Sequence, residues 1–274
     1  MGLPQTLLGR TGVSVTRLGL GGEGVLRTDG REREAEALIA AALDAGITYF
    51  ESARAYSGSE AYLGRGLKGR RREIFLTSKS HGRTYKEALA HLSITLRNLD
   101  TDYLDLWQVH DLRTLEEVEA LGRKGGALEA FLQAKKKGWA RFIGVTGHED
   151  PAVLRRALEL YPFDTVLLPV NPAEPQYLSF LPLAAEAREN FQVGVIGMKV
   201  LCRGFLPRVL GRVKDFIAYA LSQPAQVVVG MDNIFQLREL TAAVQDFEPL
   251  SSEAQRALEA DAAPYARRLM YYKP

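Results

Sequence analysis

Four side chains in this sequence are of types that could carry out proton chemistry together. Glu51 and Tyr56 lie in "YFESARAYSGSE", Lys79 ends "FLTSK", and His110 ends "DLWQVH". Three have plain readings by themselves: Tyr56 as a loop tyrosine, Lys79 as a strand-end lysine reaching water, His110 as a satisfied core histidine. Taken together, they bring an acid, a phenol, an ammonium and an imidazole to the ends of successive strands. A lysine enclosed by protein needs a counter-ion, and Glu51 is the natural one. A nearby ammonium favours phenolate, so the expectation is a Tyr56 pKa lowered toward neutrality and a phenol able to protonate a developing alkoxide. His110 would hydrogen-bond the carbonyl oxygen and orient it.

These residues need a scaffold that aims successive strand ends at one space. Apolar, β-rich runs ("LGLGG", "ITYFE", "EIFLTSK", "YLDLWQVH", "ARFIGVTG", "DTVLLPVN", "VGVIGMKVL", "AQVVVGM") alternate with amphipathic helical stretches. "DPAVLRRALEL" carries Asp150 as N-cap and Pro151 in its first turn, and "KKKG" reads as a helix C-terminus closed by Gly138. The pattern predicts one interrupted helix from Leu115 to Gly138 and one continuous helix over "LPRVLGRVKDFIAYALSQ". Eight strand–helix units after a short hairpin predict an α/β fold, a (β/α)8 TIM barrel with an N-terminal β-hairpin, as a single domain over 1–274. An open doubly wound sheet is the rival. The glycines of "LGLGGEG" alone are weak evidence for it.

The bulk properties exclude other classes. The 274 residues have a formal net charge of +2, too mild to point to nucleic acid. No apolar run approaches the ~20 residues of a membrane-spanning helix. One cysteine, Cys202, permits no internal disulfide and no cysteine cluster. No metal site is expected, and a cytoplasmic setting is.

In this order the motifs resemble the aldo-keto reductases over nearly the whole chain. "LGRTGVSVTRLGLG" is similar to their opening hairpin and first strand. "GITYFESARAYSGSEAYLGRGL" is similar to their G-x-x-x-x-D-T-A-x-x-Y-G-x-E segment, and "GWARFIGVTGH" to their G-K-I-R-x-I-G-V-S-N strand. Lys79 and His110 fall where the family's lysine and histidine fall. The resemblance implies hydride transfer from a nicotinamide cofactor to an aldehyde or ketone, NADP(H) in preference to NAD(H). Tyr56 would be the acid, Lys79 its partner, His110 the orienting group and Glu51 the counter-ion of Lys79. The cofactor contacts it implies are Gly22, Glu51, Thr146, Asn171, Met198, Lys199, Gly230, Asp232 and Gln236. The implied partner is a small carbonyl substrate, and the assembly a monomer or small homo-oligomer.

The sequence also departs from the family pattern. Glu51 stands where the family has Asp, extending the carboxylate by roughly one bond, ~1.5 Å. Thr146-Gly147 and Leu167 replace the amide-contacting Ser-Asn and Gln, and Met198 replaces an aromatic ring. Asp232 follows the last strand where basic residues are usual, leaving Lys199 and Arg238 as basic candidates. These departures keep open the alternative of a nucleotide-binding regulatory or interaction subunit on the same fold.

Overall fold

The computed structural model describes residues 2–274. Two short strands, β1 (Gln5–Leu7) and β2 (Ser14–Thr16), pair antiparallel with Thr6 opposite Val15. Eight further strands form a closed parallel barrel: β3 (Leu18–Gly24), β4 (Tyr49–Glu51), β5 (Phe75–Ser80), β6 (Leu104–Val109), β7 (Ala140–Thr146), β8 (Thr165–Pro169), β9 (Gly194–Met198) and β10 (Gln226–Met231). Each pairs with the next, and β10 returns to β3 with a register shift at Gly230/Met231. The barrel is the expected fold. Gly19, Gly21 and Gly24 do stand at G-x-G-x-x-G spacing, but they lie within a barrel strand and not in the strand-to-helix turn of an open dinucleotide-binding sheet.

The helices are α1 (Glu32–Asp44), α2 (Ser59–Gly66), α3 (Tyr85–Asn98), α4 (Leu115–Leu121), α5 (Ala127–Lys137), α6 (Pro151–Leu160), α7 (Leu181–Glu189), α8 (Phe205–Leu210), α9 (Val213–Ser222), α10 (Ile234–Gln245), α11 (Ser252–Ala262) and α12 (Ala266–Leu269). The break expected between Leu115 and Gly138 separates α4 from α5. The helix expected to run unbroken after Phe205 is instead two. Gly211 takes a left-handed φ of 73° and donates its N–H to Pro207 O at 2.8 Å, which ends α8. Asp150 caps α6 by accepting from Ala152 N at 2.8 Å, and Gly138 ends α5 at φ 75° behind three lysines.

The barrel interior follows from the two-residue period of strands. Glu51 lies opposite Thr77, and Lys79 opposite Gln108. Tyr49 and Glu51, then Phe75, Thr77 and Lys79, then Leu106 and Gln108 therefore share the inner face. A hydrogen bond from Gln108 Nε2 to Thr77 Oγ1 at 3.3 Å agrees with this. Tyr49 stacks on Phe75, with ring centroids 5.6 Å apart. Leu8 and Val15 join the same apolar cluster from the hairpin side. There Arg10 N bonds Gln192 O just before β9, and Thr16 N bonds Thr48 Oγ1 just before β4. The hairpin thus covers the amino-terminal end of the barrel, and the polar residues of the inner face are left at the carboxyl end.

Candidate active site

β4 and β5 deliver the charged pair. Lys79 Nζ lies 2.7 Å from Glu51 Oε1 and 2.9 Å from the Ser52 carbonyl oxygen, with side chains 1% and 6% exposed. The ion pair expected from the sequence is present despite the longer acid. Glu51 Oε2 is buried and has no hydrogen-bond partner among the described residues. The loop after β4 carries Tyr56 over the pair, and the Lys79 ammonium is 4.8 Å from its ring centroid. The Arg27 guanidinium lies 4.9 Å from the same centroid. His110, one residue beyond β6, meets Tyr56 edge-on with centroids 5.9 Å apart.

This loop is held from beneath. Tyr56 N bonds Ala53 O at 2.9 Å, and Arg54 N bonds Lys79 O at 2.9 Å. The Arg54 guanidinium pairs with Glu60, a carboxylate 1% exposed. Glu60 also accepts from Ser78 Oγ at 2.8 Å, Thr95 Oγ1 at 2.6 Å and Asn98 Nδ2 at 3.1 Å. A fully hydrogen-bonded buried anion is a stable anchor, and through Arg54 Glu60 ties down the loop that carries Tyr56.

The electrostatics correct one expectation. Burial, reinforced by the Glu51 and Glu23 carboxylates, raises the Tyr56 pKa well above 10.0 instead of lowering it. In the resting site burial and the two carboxylates outweigh the Lys79 ammonium, which is paired with Glu51. Burial also lowers the pKa of Lys79, against the pull of Glu51, and holds His110 well below 6.5 with help from the Lys79 charge. The ensemble is a protonated phenol, a neutral imidazole and a lysine–carboxylate pair. It can donate a proton to, and hydrogen-bond, an oxygen placed between Tyr56 and His110.

All four residues line one cavity of about 640 Å³. Thr146, Met198, Lys199, Gly230, Asp232 and Gln236 line it too, as does Leu167. Two expected contacts do not. Gly22 is a packing glycine, because a Cβ there would come within 2.7 Å of Glu51 O and 2.5 Å of Ser59 Oγ. Asn171 is fully buried and spent on structure, donating to Lys199 O and Tyr272 OH and accepting from Ala173 N. Arg238 is exposed on α10 and does not line the cavity either.

The rim holds groups that sequence reasoning passed over: Glu23, Arg27, Arg203, Arg208 and Glu239. Glu23 ties three cations together, with Arg27 at 2.8 Å, Lys199 at 3.5 Å and Arg203 at 3.8 Å. A charged residue ending a glycine-rich strand was the available signal. Lys199, Cys202 and Arg203 all have left-handed φ, 58°, 47° and 56°. A non-glycine residue in that region is uncommon, and three occur in five residues of this rim segment. Cys202 is sealed beneath it, and burial pushes its thiol up to about 12.

The sequence model of the aldo/keto reductase family matches residues 17–212. The chain belongs to the aldo/keto reductase family. This aldo/keto reductase is 26% identical to L-galactose dehydrogenase of Arabidopsis thaliana, over 93% of this chain and 92% of the relative. It is 27% identical to the NADP(+) aldo-keto reductase yakc of Schizosaccharomyces pombe, over 79% of this chain and 66% of that one. Among solved structures, an aldo-keto reductase of Bacillus halodurans in its holo form superposes with a TM-score of 0.80 at 21% identity, covering 94% of this chain and 96% of the other. That likeness is one of fold. Among the described residues no helix of this aldo/keto reductase is long and apolar enough to cross a membrane.

Proposed function

We propose that this aldo/keto reductase is an NADP(H)-dependent reductase of aldehydes or ketones, with Tyr56 as the proton donor. The observation that carries this reading is the packing of Tyr56 against both the buried Lys79–Glu51 pair and His110 on a single cavity.

The residues present suit a nicotinamide dinucleotide. Gly21 lines the cavity where β3 approaches β10 closely, a Cβ there standing 3.0 Å from Gly230 N. Lys199, Arg203 and Arg208 supply positive charge at the rim for phosphate groups, beside the start of α10, where the Asp232 and Gln236 N–H groups are held by Gln236 Oε1 and Asn233 Oδ1. The S. pombe relative named for NADP(+) supports the phosphorylated form. The bound cofactor supplies the hydride.

The remaining work falls to the protein. His110, kept neutral by burial, hydrogen-bonds the carbonyl oxygen and sets its direction. Tyr56, kept protonated, gives its phenolic proton to that oxygen as negative charge develops. Lys79 stabilises the phenolate left behind, and Glu51 holds Lys79 in place. The cavity walls of Leu167, Met198 and Val228 keep water from the reacting carbon.

The test is NADPH oxidation with a panel of aldehydes and ketones. Tyr56→Phe should lower kcat by about 10²- to 10⁴-fold, the usual worth of a positioned acid, with NADPH affinity retained. Wild-type protein that binds NADPH yet reduces nothing in the panel would sink the reductase reading.

A further inference from the structure

A second histidine of the cavity has no part in the chemistry above. His148 follows β7 and lines the same cavity as Tyr56 and His110, with its side chain 16% exposed. Its Nδ1 lies 2.7 Å from Asp111 Oδ1. A carboxylate only accepts, so Nδ1 carries the hydrogen, and the neutral ring has its lone pair on Nε2. Burial lowers the His148 pKa against the pull of Asp111, which favours that neutral form.

Asp111 is fixed on every side. Its N–H donates to Thr146 Oγ1 at 2.8 Å, and its carbonyl accepts from Arg83 at 2.7 Å. Arg113 holds Oδ2 through two nitrogens at 2.9 and 2.7 Å, leaving Oδ1 to His148. The backbone of Asp111 is left-handed, φ 57°, directly after His110. A strained residue over-determined by its neighbours is a mark of a functional position. The result is an imidazole with one nitrogen locked and the other left as an acceptor toward the cavity.

We propose that His148, aimed by Asp111, accepts a hydrogen bond from a hydroxyl group on the carbon chain beside the reacting carbonyl, so that the site selects hydroxy-aldehydes and hydroxy-ketones over their deoxy counterparts. This rests on the reductase reading and names its substrate class. An acceptor built for a hydroxyl is left unpaired by an alkyl chain, and such sites discriminate against the analogue lacking the group. His148 determines specificity, and Asp111 is a positioning residue.

The experiment compares glyceraldehyde with propionaldehyde, which share a three-carbon chain. Wild type should favour glyceraldehyde in kcat/KM by about tenfold or more. His148→Phe should lower the ratio of the two kcat/KM values at least tenfold. His148→Gln, which keeps an acceptor, should restore part of the ratio, and Asp111→Asn should lower it less than His148→Phe. A ratio within twofold of wild type in His148→Phe overturns the proposal, whatever the absolute loss. So does a tenfold weaker NADPH affinity with the ratio unchanged, which would assign His148 to the cofactor. If wild type reduces neither aldehyde nor any other member of the carbonyl panel, the reductase reading fails separately. Where neither aldehyde is reduced, saturation-transfer NMR of glyceraldehyde decides the proposal: binding lost in His148→Phe supports it, and absent or equal binding overturns it.

Discussion

Among the described residues, two lysine–glutamate pairs are buried almost completely, and they are finished differently. Lys273 Nζ reaches Glu174 Oε2 and the carbonyls of Tyr177 and Leu178, each at 2.8 Å. Glu174 further accepts from Tyr272 OH at 2.6 Å and Phe180 N at 3.1 Å. An ammonium has three donors, and here all are used. Lys79 has two partners, Glu51 and Ser52 O, and Glu51 Oε2 has none. The Glu174 pair ties the C-terminal tail to the segment after β8 and has nothing left to offer a ligand. The Glu51 pair keeps spare hydrogen-bonding capacity on the cavity wall. Leaving buried polar groups incomplete costs stability, and this molecule does so where a ligand can complete them.

Lys79→Met should break the comparison most sharply. We expect kcat/KM for carbonyl reduction to fall by about 10²- to 10⁴-fold, because the phenolate left by Tyr56 loses its cation. Adding Glu51→Leu should recover stability lost through the unpaired acid, as apolar replacement of a buried pair often does, and recover no activity. Steady-state kinetics and urea unfolding on the same preparations decide this; recovered activity in the double variant would contradict it.

Lys273→Met is the structural counterpart. It leaves Glu174 charged and unpaired with its side chain fully buried, and should cost about 3–5 kcal/mol of unfolding free energy. Turnover per folded molecule should stay at the wild-type level. A turnover loss matching that of Lys79→Met would erase the distinction between the two pairs.

Glu51→Asp sharpens the comparison on a smaller scale. It shortens the acid by about one bond, and a shift of about 1 Å in a positioned group can cost up to ~10²-fold. If Lys79 is set for the longer residue, kcat should fall roughly tenfold with little change in stability. An unchanged or higher kcat would show that the loop after β4 adjusts freely.

The smallest effect expected is in the pH profile. Tyr56 is raised above 10.0 and His110 lowered below 6.5, so neither changes charge between those values. Lys79 is lowered from 10.5, so its ammonium is lost earlier than usual as pH rises. The plot of kcat/KM should therefore decline only on its alkaline side within that window. An acid limb there would contradict the assignment of a neutral His110.

Much of this was legible in the chain. The alternation of apolar runs with amphipathic stretches gave the barrel, and residue types at three strand ends singled out Glu51, Tyr56, Lys79 and His110, which line one cavity. The two-residue period of strands turns such local spacing into a shared face, and the barrel's closure turns the shared face into one cavity. Less was legible where a side chain's partner comes from a distant segment. Asn171 read as a cavity residue until Tyr272, from the far end of the chain, claimed its amide. Gly22 was implied as a cofactor contact, and it serves the close approach of β3 to Glu51. The "LPRVLGRVKDF" stretch read as one helix, because periodicity does not register one glycine turning left-handed.

The sequence by itself determined the fold class, the order of elements and the chemical types at the strand ends, since these depend on local pattern. The tertiary structure decided the protonation states. Tyr56 holds its phenolic proton more tightly than an ordinary tyrosine because burial and two carboxylates outweigh the ammonium paired with Glu51. It also decided that Asp111 aims His148 into the cavity while Lys273 is sealed away from water. Solvation and the sum of surrounding charges belong to three-dimensional distance, which residue spacing along the chain does not encode.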